Sequence, residues 1–143
     1  MATVQSVTET AVSATVDGIK PLLAVCKFTF KEKNTNTGIP VKELSIGYGE
    51  NASDGYPQSA TVTPSVTTPG DVTLDAPYDQ SSWSLLTLNL KEETSDGVYV
   101  SLLPVASQSD FYFSVTNSKG TYTGTASATL KAGRFYRVEL TLE

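Results

Sequence analysis

The 143-residue sequence contains no histidine and only one cysteine. Without histidine the chain lacks the commonest general base near neutral pH and the usual imidazole ligands of zinc. The Ser-His-Asp and Cys-His arrangements of hydrolases are excluded for the same reason. Neither the P-loop nor the dinucleotide-binding glycine motif occurs. We therefore expect no enzyme activity, no catalytic residues, no cofactor and no metal site.

Carboxylate pairs are a route to glycoside hydrolysis that needs no histidine. Most of the 15 acidic residues fall in predicted turns or loops, where a solvated carboxylate is the ordinary interpretation. Asp71, Asp75 and Asp79 lie close together in the sequence and offer oxygen ligands to calcium, but no Asp-x-Asp-x-Asp-Gly loop contains them. The acids therefore predict neither a catalytic pair nor a dedicated calcium site.

Charge is scarce as well, because only 17% of the residues are charged and the net charge is −5. The ten Lys and Arg residues are not clustered, so the chain offers no basic footprint to a nucleic-acid backbone. No apolar run approaches the roughly 18 residues of a membrane span. Residues 1–5 lack the basic and apolar regions of a signal peptide, which fits either an intracellular protein or a mature, trimmed chain. We expect no nucleic-acid partner and no direct membrane span.

The single cysteine, Cys26, ends the apolar run 22–26. A lone cysteine in such a run is typical of a small core residue, and an exposed thiol or an interchain bridge is the alternative. Because a chain of this length buries a core without disulfides, their absence leaves the cellular compartment open.

What the sequence has in abundance is alternation of apolar and polar residues with a period of two. Such alternation is typical of antiparallel strands that bury one face. No window of twelve residues carries a clean helical stripe, so we expect little helix. Residues in the apolar phase of three segments are predicted to share one core: Phe28, Phe30, Phe113, Val115, Val138 and Leu140.

Turn signals divide the alternating runs, and residues 117–120 and 132–133 are each predicted to close a hairpin. Residues 31–38 are predicted to form an exposed connection, and 47–58 a long loop. Short strands at this spacing predict an all-β fold, an antiparallel β-sandwich. The predicted strands are 22–31, 39–48, 59–66, 71–75, 84–90, 97–103, 110–117, 121–130 and 134–142.

Four aromatic residues lie in or beside predicted loops: Tyr48, Tyr56, Tyr78 and Trp83. On a β scaffold such rings can stack on sugars, and two or three coplanar exposed aromatics on one face would mark a carbohydrate-binding module. The alternative is that Trp83 fills the core while the tyrosines rim the ends of the sandwich.

Several segments of the second half follow one another in an unusual order. Residues 98–105 (VYVSLLPV) read as a strand ending in Leu-Pro, and 111–116 and 119–122 follow. Residues 130–140 (LKAGRFYRVEL) then carry an Ala-Gly-basic-aromatic-Tyr pattern. This arrangement resembles that of fimbrillin-like proteins, the cell-surface and pilus subunits of Gram-negative anaerobes. Residues 26–30 and 44–46 resemble two early strands of that family, so the resemblance spans about 22–142.

The resemblance implies a transthyretin-like β-sandwich. We expect a Greek-key sandwich domain over residues 21–143, preceded by an N-terminal arm or edge strand at 1–20. It also implies a secreted lipoprotein at the outer membrane or cell surface, assembling into a fimbrium with other pilin-type subunits or binding host or bacterial surface ligands. The expected function is thus a non-catalytic structural or adhesive module. The alternatives are a carbohydrate-binding domain and an accessory domain of a larger secreted protein.

The N-terminal arm has a sparse apolar pattern of small side chains between residues 3 and 16. This pattern predicts the least secure strand of the domain, at a sheet edge. The resemblance implies that such a first strand can be removed and its place taken by a strand of another subunit, with backbone hydrogen bonds along its length. An ordinary docked first strand or a disordered tail is the alternative.

Overall fold

The computed structural model describes residues 21–68, 71–75 and 80–143. The predicted arm at 1–20 lies outside these residues. Within them the chain forms nine strands and one 3-10 turn at Gln80–Ser82, so the all-β class with little helix is confirmed, and every predicted strand is present. The strands are β1 (Ala24–Glu32), β2 (Val41–Tyr48), β3 (Thr61–Pro64), β4 (Val72–Asp75), β5 (Leu86–Thr94), β6 (Val98–Leu102), β7 (Val105–Asn117), β8 (Gly120–Leu130) and β9 (Phe135–Leu142).

Two sheets form the sandwich, a three-stranded sheet in the order β6-β1-β9 and a four-stranded sheet in the order β5-β2-β7-β8. Strands β3 and β4 pair only with each other in the described structure, as a hairpin inserted between β2 and β5. The apolar faces of the two main sheets meet in one core, where the rings of Phe28 and Phe113 lie 5.2 Å apart. The β-sandwich prediction is confirmed.

The core residues predicted from alternation are confirmed. Phe28, Phe30 and Phe113 are each 3% exposed, and Val115 is fully buried. Leu140 is buried too, and Val138 is partly buried against the same cluster. Because burying one large apolar side chain stabilises a fold by about 1.5–3 kcal/mol, this cluster is the main source of stability.

The hairpin predicted at residues 117–120 is confirmed and joins β7 to β8. Asn117 shapes the turn, because its side-chain oxygen accepts hydrogen bonds from the backbone N–H groups of Lys119, at 2.8 Å, and Gly120, at 3.3 Å. Its side-chain nitrogen donates to the carbonyl of Pro40 at 2.8 Å. The turn is therefore tied to the segment that leads into β2.

The hairpin predicted at residues 132–133 is wrong, because β8 and β9 belong to different sheets. The turn bonds to the start of β1 instead: Gly133 N–H donates to the Leu23 carbonyl at 3.0 Å, and Val25 N–H donates to the Arg134 carbonyl at 2.9 Å. The chain thus crosses from one sheet to the other, and β9 lies parallel to β1. Alternation fixes which face of a strand is buried but does not choose its partner.

The two lateral sides of the sandwich differ. On one side β8 meets the end of β9, where Thr123 and Glu143 exchange backbone hydrogen bonds of 2.8 and 3.0 Å. The strands approach so closely that a Cβ at Gly124 would lie 2.7 Å from a methyl group of Leu142. On the other side, β5 pairs only with β2 and β6 only with β1 among the described residues. We call these the closed side and the open side.

Candidate functional site

Tyr56, one of the four loop aromatics, is buried, with only 5% of its surface exposed. Its hydroxyl oxygen accepts a hydrogen bond of 2.7 Å from the backbone N–H of Leu103, and its own backbone N–H donates to the Ser84 carbonyl at 2.8 Å. Burial raises the pKa of this phenol to about 12. Tyr56 therefore anchors the long loop to the end of β6.

Tyr48 and Trp83 pack against each other edge to face, with ring centroids 6.1 Å apart, and both are half-buried. The Tyr48 hydroxyl donates to the Ser109 hydroxyl at 3.0 Å. The indole N–H of Trp83 is buried and has no hydrogen-bond partner in the described structure. Tyr78 lies outside the described residues. The other three aromatics therefore pack into the end of the sandwich and do not present an exposed platform.

The acidic side chains that make contacts tie neighbouring segments together. Asp54 accepts backbone hydrogen bonds of 3.0 Å from Glu50 and 2.8 Å from Asn51, which closes the long loop. Asp110 accepts a hydrogen bond from Ser127 across the β7–β8 pair. Over the described ranges, no three acidic or cysteine side chains lie together as a metal-binding group. Of the calcium candidates, Asp71 and Asp75 are exposed at the β3–β4 hairpin, and Asp79 is outside the description.

Cys26 lies on β1, fully buried in the core, as predicted for a small core residue. Burial raises the pKa of its thiol to about 11, because desolvation disfavours the thiolate. A protonated, buried thiol is neither a good nucleophile nor a metal ligand at neutral pH. The interior therefore uses Cys26 for packing.

An exposed aromatic pair occupies the outer surface of the three-stranded sheet instead. Tyr99 on β6 is 60% exposed and Phe135 on β9 is 51% exposed. Their rings are stacked at an interplanar angle of 23°, with centroids 6.2 Å apart, so they reach across the central strand β1. Two nearly parallel rings on a rigid sheet form a preorganised apolar surface.

Two cations border this pair. Lys27 is the β1 neighbour of both Tyr99 and Arg137, and its ammonium lies 5.4 Å from the centre of the Tyr99 ring. The Arg137 guanidinium lies 5.9 Å from the centre of the Phe135 ring. Both separations are within the range of cation–π attraction. We call these four side chains the aromatic face.

Comparison of the chain with protein-family models, with curated proteins and with solved structures finds no match. The geometry of the molecule is therefore the basis for assigning function. No helix in the described ranges is long and apolar enough to cross a membrane.

A groove of about 540 Å³ lies on the open side. It lies at one end of the two edge strands, with Leu86, the first residue of β5, and Ser101, near the end of β6, among its lining residues. Val62 of β3 and Leu74 of β4 line it where the inserted hairpin approaches. Pro21, the first described residue, also lines the groove. The segment that leads into β1 therefore borders an apolar groove at the end of the open side.

The aromatic face was not predicted, although the sequence contained its signal. Tyr99 lies between Val98 and Val100, whose side chains are buried. Phe135 is exposed and precedes Tyr136, the first residue of β9 that packs against the core. In each strand the large aromatic residue occupies the polar, outward phase. An aromatic residue at a solvent-facing position of an alternating strand takes the place of the usual polar residue and is a signal for binding.

Proposed function

We propose that the chain is a non-catalytic structural or adhesive module of the cell surface, of the type found in fimbrial subunits. The observation that carries this proposal is the open side, where β5 and β6 have no further partner among the described residues and an apolar groove lies at their end. An exposed edge displays unpaired N–H and C=O groups and accepts a strand from another chain unless something blocks it. A subunit that assembles by strand addition needs such an edge.

The use of the reactive side chains is a second support. The buried cysteine packs in the core. The acidic side chains with defined contacts close loops or join strands. Glu139, for example, forms an ion pair of 2.8 Å with Lys31 on the neighbouring strand. These arrangements stabilise a scaffold. They leave the outer faces of the sandwich as the surfaces for contact with a partner.

Protease treatment of intact cells of the source organism tests the cellular part of the proposal. We expect the chain to be cleaved while a periplasmic control protein stays intact, and gold-labelled antibody to mark the cell surface or its filaments. Protection of the chain in intact cells, with cleavage only after lysis, would refute the proposed location.

The purified chain tests the non-catalytic part. A panel of glycoside and ester substrates should show no turnover above the uncatalysed rate. Turnover that a single Asp or Glu substitution abolishes would show that the chain is an enzyme.

A further inference from the structure

We propose that the aromatic face binds an acidic glycan, in which the sugars carry carboxylate groups. The inference rests on the proposed function, since it names the ligand class of an adhesive module. Its basis is one juxtaposition: two exposed stacked rings, Tyr99 and Phe135, bordered by Lys27 and Arg137 on adjoining strands.

The rings supply the contact with the sugar. One face of a pyranose ring presents C–H groups with a partial positive charge, and the face of an aromatic ring is negative. Tyr99 and Phe135 extend from strands that both pair with β1, so backbone hydrogen bonds fix their spacing. Little side-chain entropy is lost when a ligand binds such a preorganised surface.

The cations supply the preference for a charged sugar. The ion pairs of this sheet's surface in the described structure join Lys31 to Glu139 and Lys33 to Glu143, and neither Lys27 nor Arg137 takes part in one. Both keep N–H donors that can bond a carboxylate, and the planar guanidinium of Arg137 can do so in bidentate fashion. A neutral sugar would leave this capacity unused.

Nucleic acid also stacks on aromatic rings beside Lys and Arg. Proteins that bind single-stranded nucleic acids, however, usually present a basic groove that follows the phosphate backbone. The net charge of this chain is −5, and its cations are dispersed. The two cations beside the rings can meet a sugar carboxylate but form no such groove.

A protein partner fits the aromatic face less well. Specific protein interfaces bury more than about 1,000 Å² in total around an apolar centre. Among the described residues, the large apolar side chains exposed beside the two rings are Leu23 and Val25, each only 36% exposed. Two rings with two cations match the size of one or two sugar units.

Isothermal titration calorimetry on the whole chain tests the proposal with three ligands: tetragalacturonate, a hyaluronan octasaccharide and an α2,8-linked sialic acid tetramer. We expect at least one to bind, and we expect its methyl ester, which is neutral, to bind about tenfold more weakly. Tyr99→Ala and Phe135→Ala should each weaken binding about tenfold. Lys27→Gln and Arg137→Gln should weaken it and reduce its dependence on salt.

Matched controls lie elsewhere on the surface. Tyr112→Ala removes an aromatic side chain from the outer face of the four-stranded sheet, and Lys119→Gln removes an exposed charge from the β7–β8 turn. Both should leave affinity unchanged, and circular dichroism should show the same fold in every variant. Failure of all three glycans to bind overturns the proposal, as does equal affinity for the methyl ester or tighter binding of an eight-residue oligothymidylate. A dimer in sedimentation velocity that Tyr99→Ala dissociates would assign the face to self-association instead.

The two experiments fail independently. A chain protected inside the cell that still binds an acidic glycan would refute the proposed location alone. A chain exposed on the cell surface that binds none of the three would refute the ligand alone.

Discussion

The closed and open sides of the sandwich show how one fold can be rigid along one lateral side and available for contact along the other. On the closed side, backbone hydrogen bonds join Thr123 to Glu143, and Gly124 lets the strands approach within contact of Leu142. On the open side, β5 and β6 are edge strands among the described residues, and an apolar groove lies at their end. The difference separates the part of the molecule that holds the two sheets together from the part where each described edge strand has a single neighbour.

The largest expected effect comes from truncating an apolar side chain on each side. Leu142, on the closed side, is 1% exposed, whereas Leu86, on the open side, is half-buried at the groove. Leu142→Ala should lower the free energy of unfolding by about 2–5 kcal/mol, because it leaves a cavity in a packed site. Leu86→Ala should cost about 1 kcal/mol, since solvent already reaches that site. Urea denaturation measures both, and equal losses would contradict the division into two sides.

A smaller effect is expected from deleting residues 1–16. If the arm is the least secure strand of the domain, its loss should lower the free energy of unfolding by about 2 kcal/mol or less, as for elements at the low-stability end of a fold. The shortened chain should also associate more readily, measured by sedimentation velocity, and a synthetic peptide of residues 1–16 should reverse that association. A loss of about 5–15 kcal/mol, comparable to a whole folding free energy, without association would show that the arm is a core strand.

A third effect appears in alkaline solution. The Cys26 pKa rises from 9.0 to about 11, and the Tyr56 pKa from 10.0 to about 12, because burial disfavours the ionised forms. Each raised pKa contributes stability that is complete below the unfolded value and is lost as the pH rises through the folded value. The melting temperature should therefore fall between pH 9 and 12.

Two variants separate these contributions. Cys26→Ala should flatten the melting profile between pH 9 and 11, and Tyr56→Phe should flatten it between pH 10 and 12. Both side chains belong to the buried core, but only Tyr56 also lines the groove, so the second variant reports on the open side. A profile unchanged by either substitution would show that other groups govern alkaline unfolding.

The sequence predicted the strands and the core because both depend on local alternation. Phe28, Phe113 and Leu140 could be placed inside from their phase alone, whichever strands they paired with. The sequence did not predict that β9 would lie beside β1, because the choice of partner depends on contacts between distant segments. Residues 132–133 were predicted to close a hairpin, but the Gly133 N–H group donates a hydrogen bond to the Leu23 carbonyl instead.

The candidate site was harder to predict than the fold. Positions in or beside predicted loops suggested Tyr48, Tyr56, Tyr78 and Trp83 as binding aromatics. In the structure Tyr56 is buried, Tyr48 and Trp83 are half-buried, and Tyr78 lies outside the described residues. The exposed rings, Tyr99 and Phe135, lie at outward positions of strands instead. To predict that the two rings stack across β1, one must know the strand order of the sheet.

The parallel pairing of β1 with β9 has a consequence for the order of folding. Partners in this pair, such as Val25 with Phe135, stand 110 positions apart, as Lys33 and Glu143 do. High contact order of this kind slows folding to milliseconds or seconds, because a long loop must close before the contact is made. During synthesis, the three-stranded sheet stays incomplete until β9 leaves the ribosome. A chain truncated before Phe135 would leave β1, at the centre of its sheet, with one neighbour instead of two.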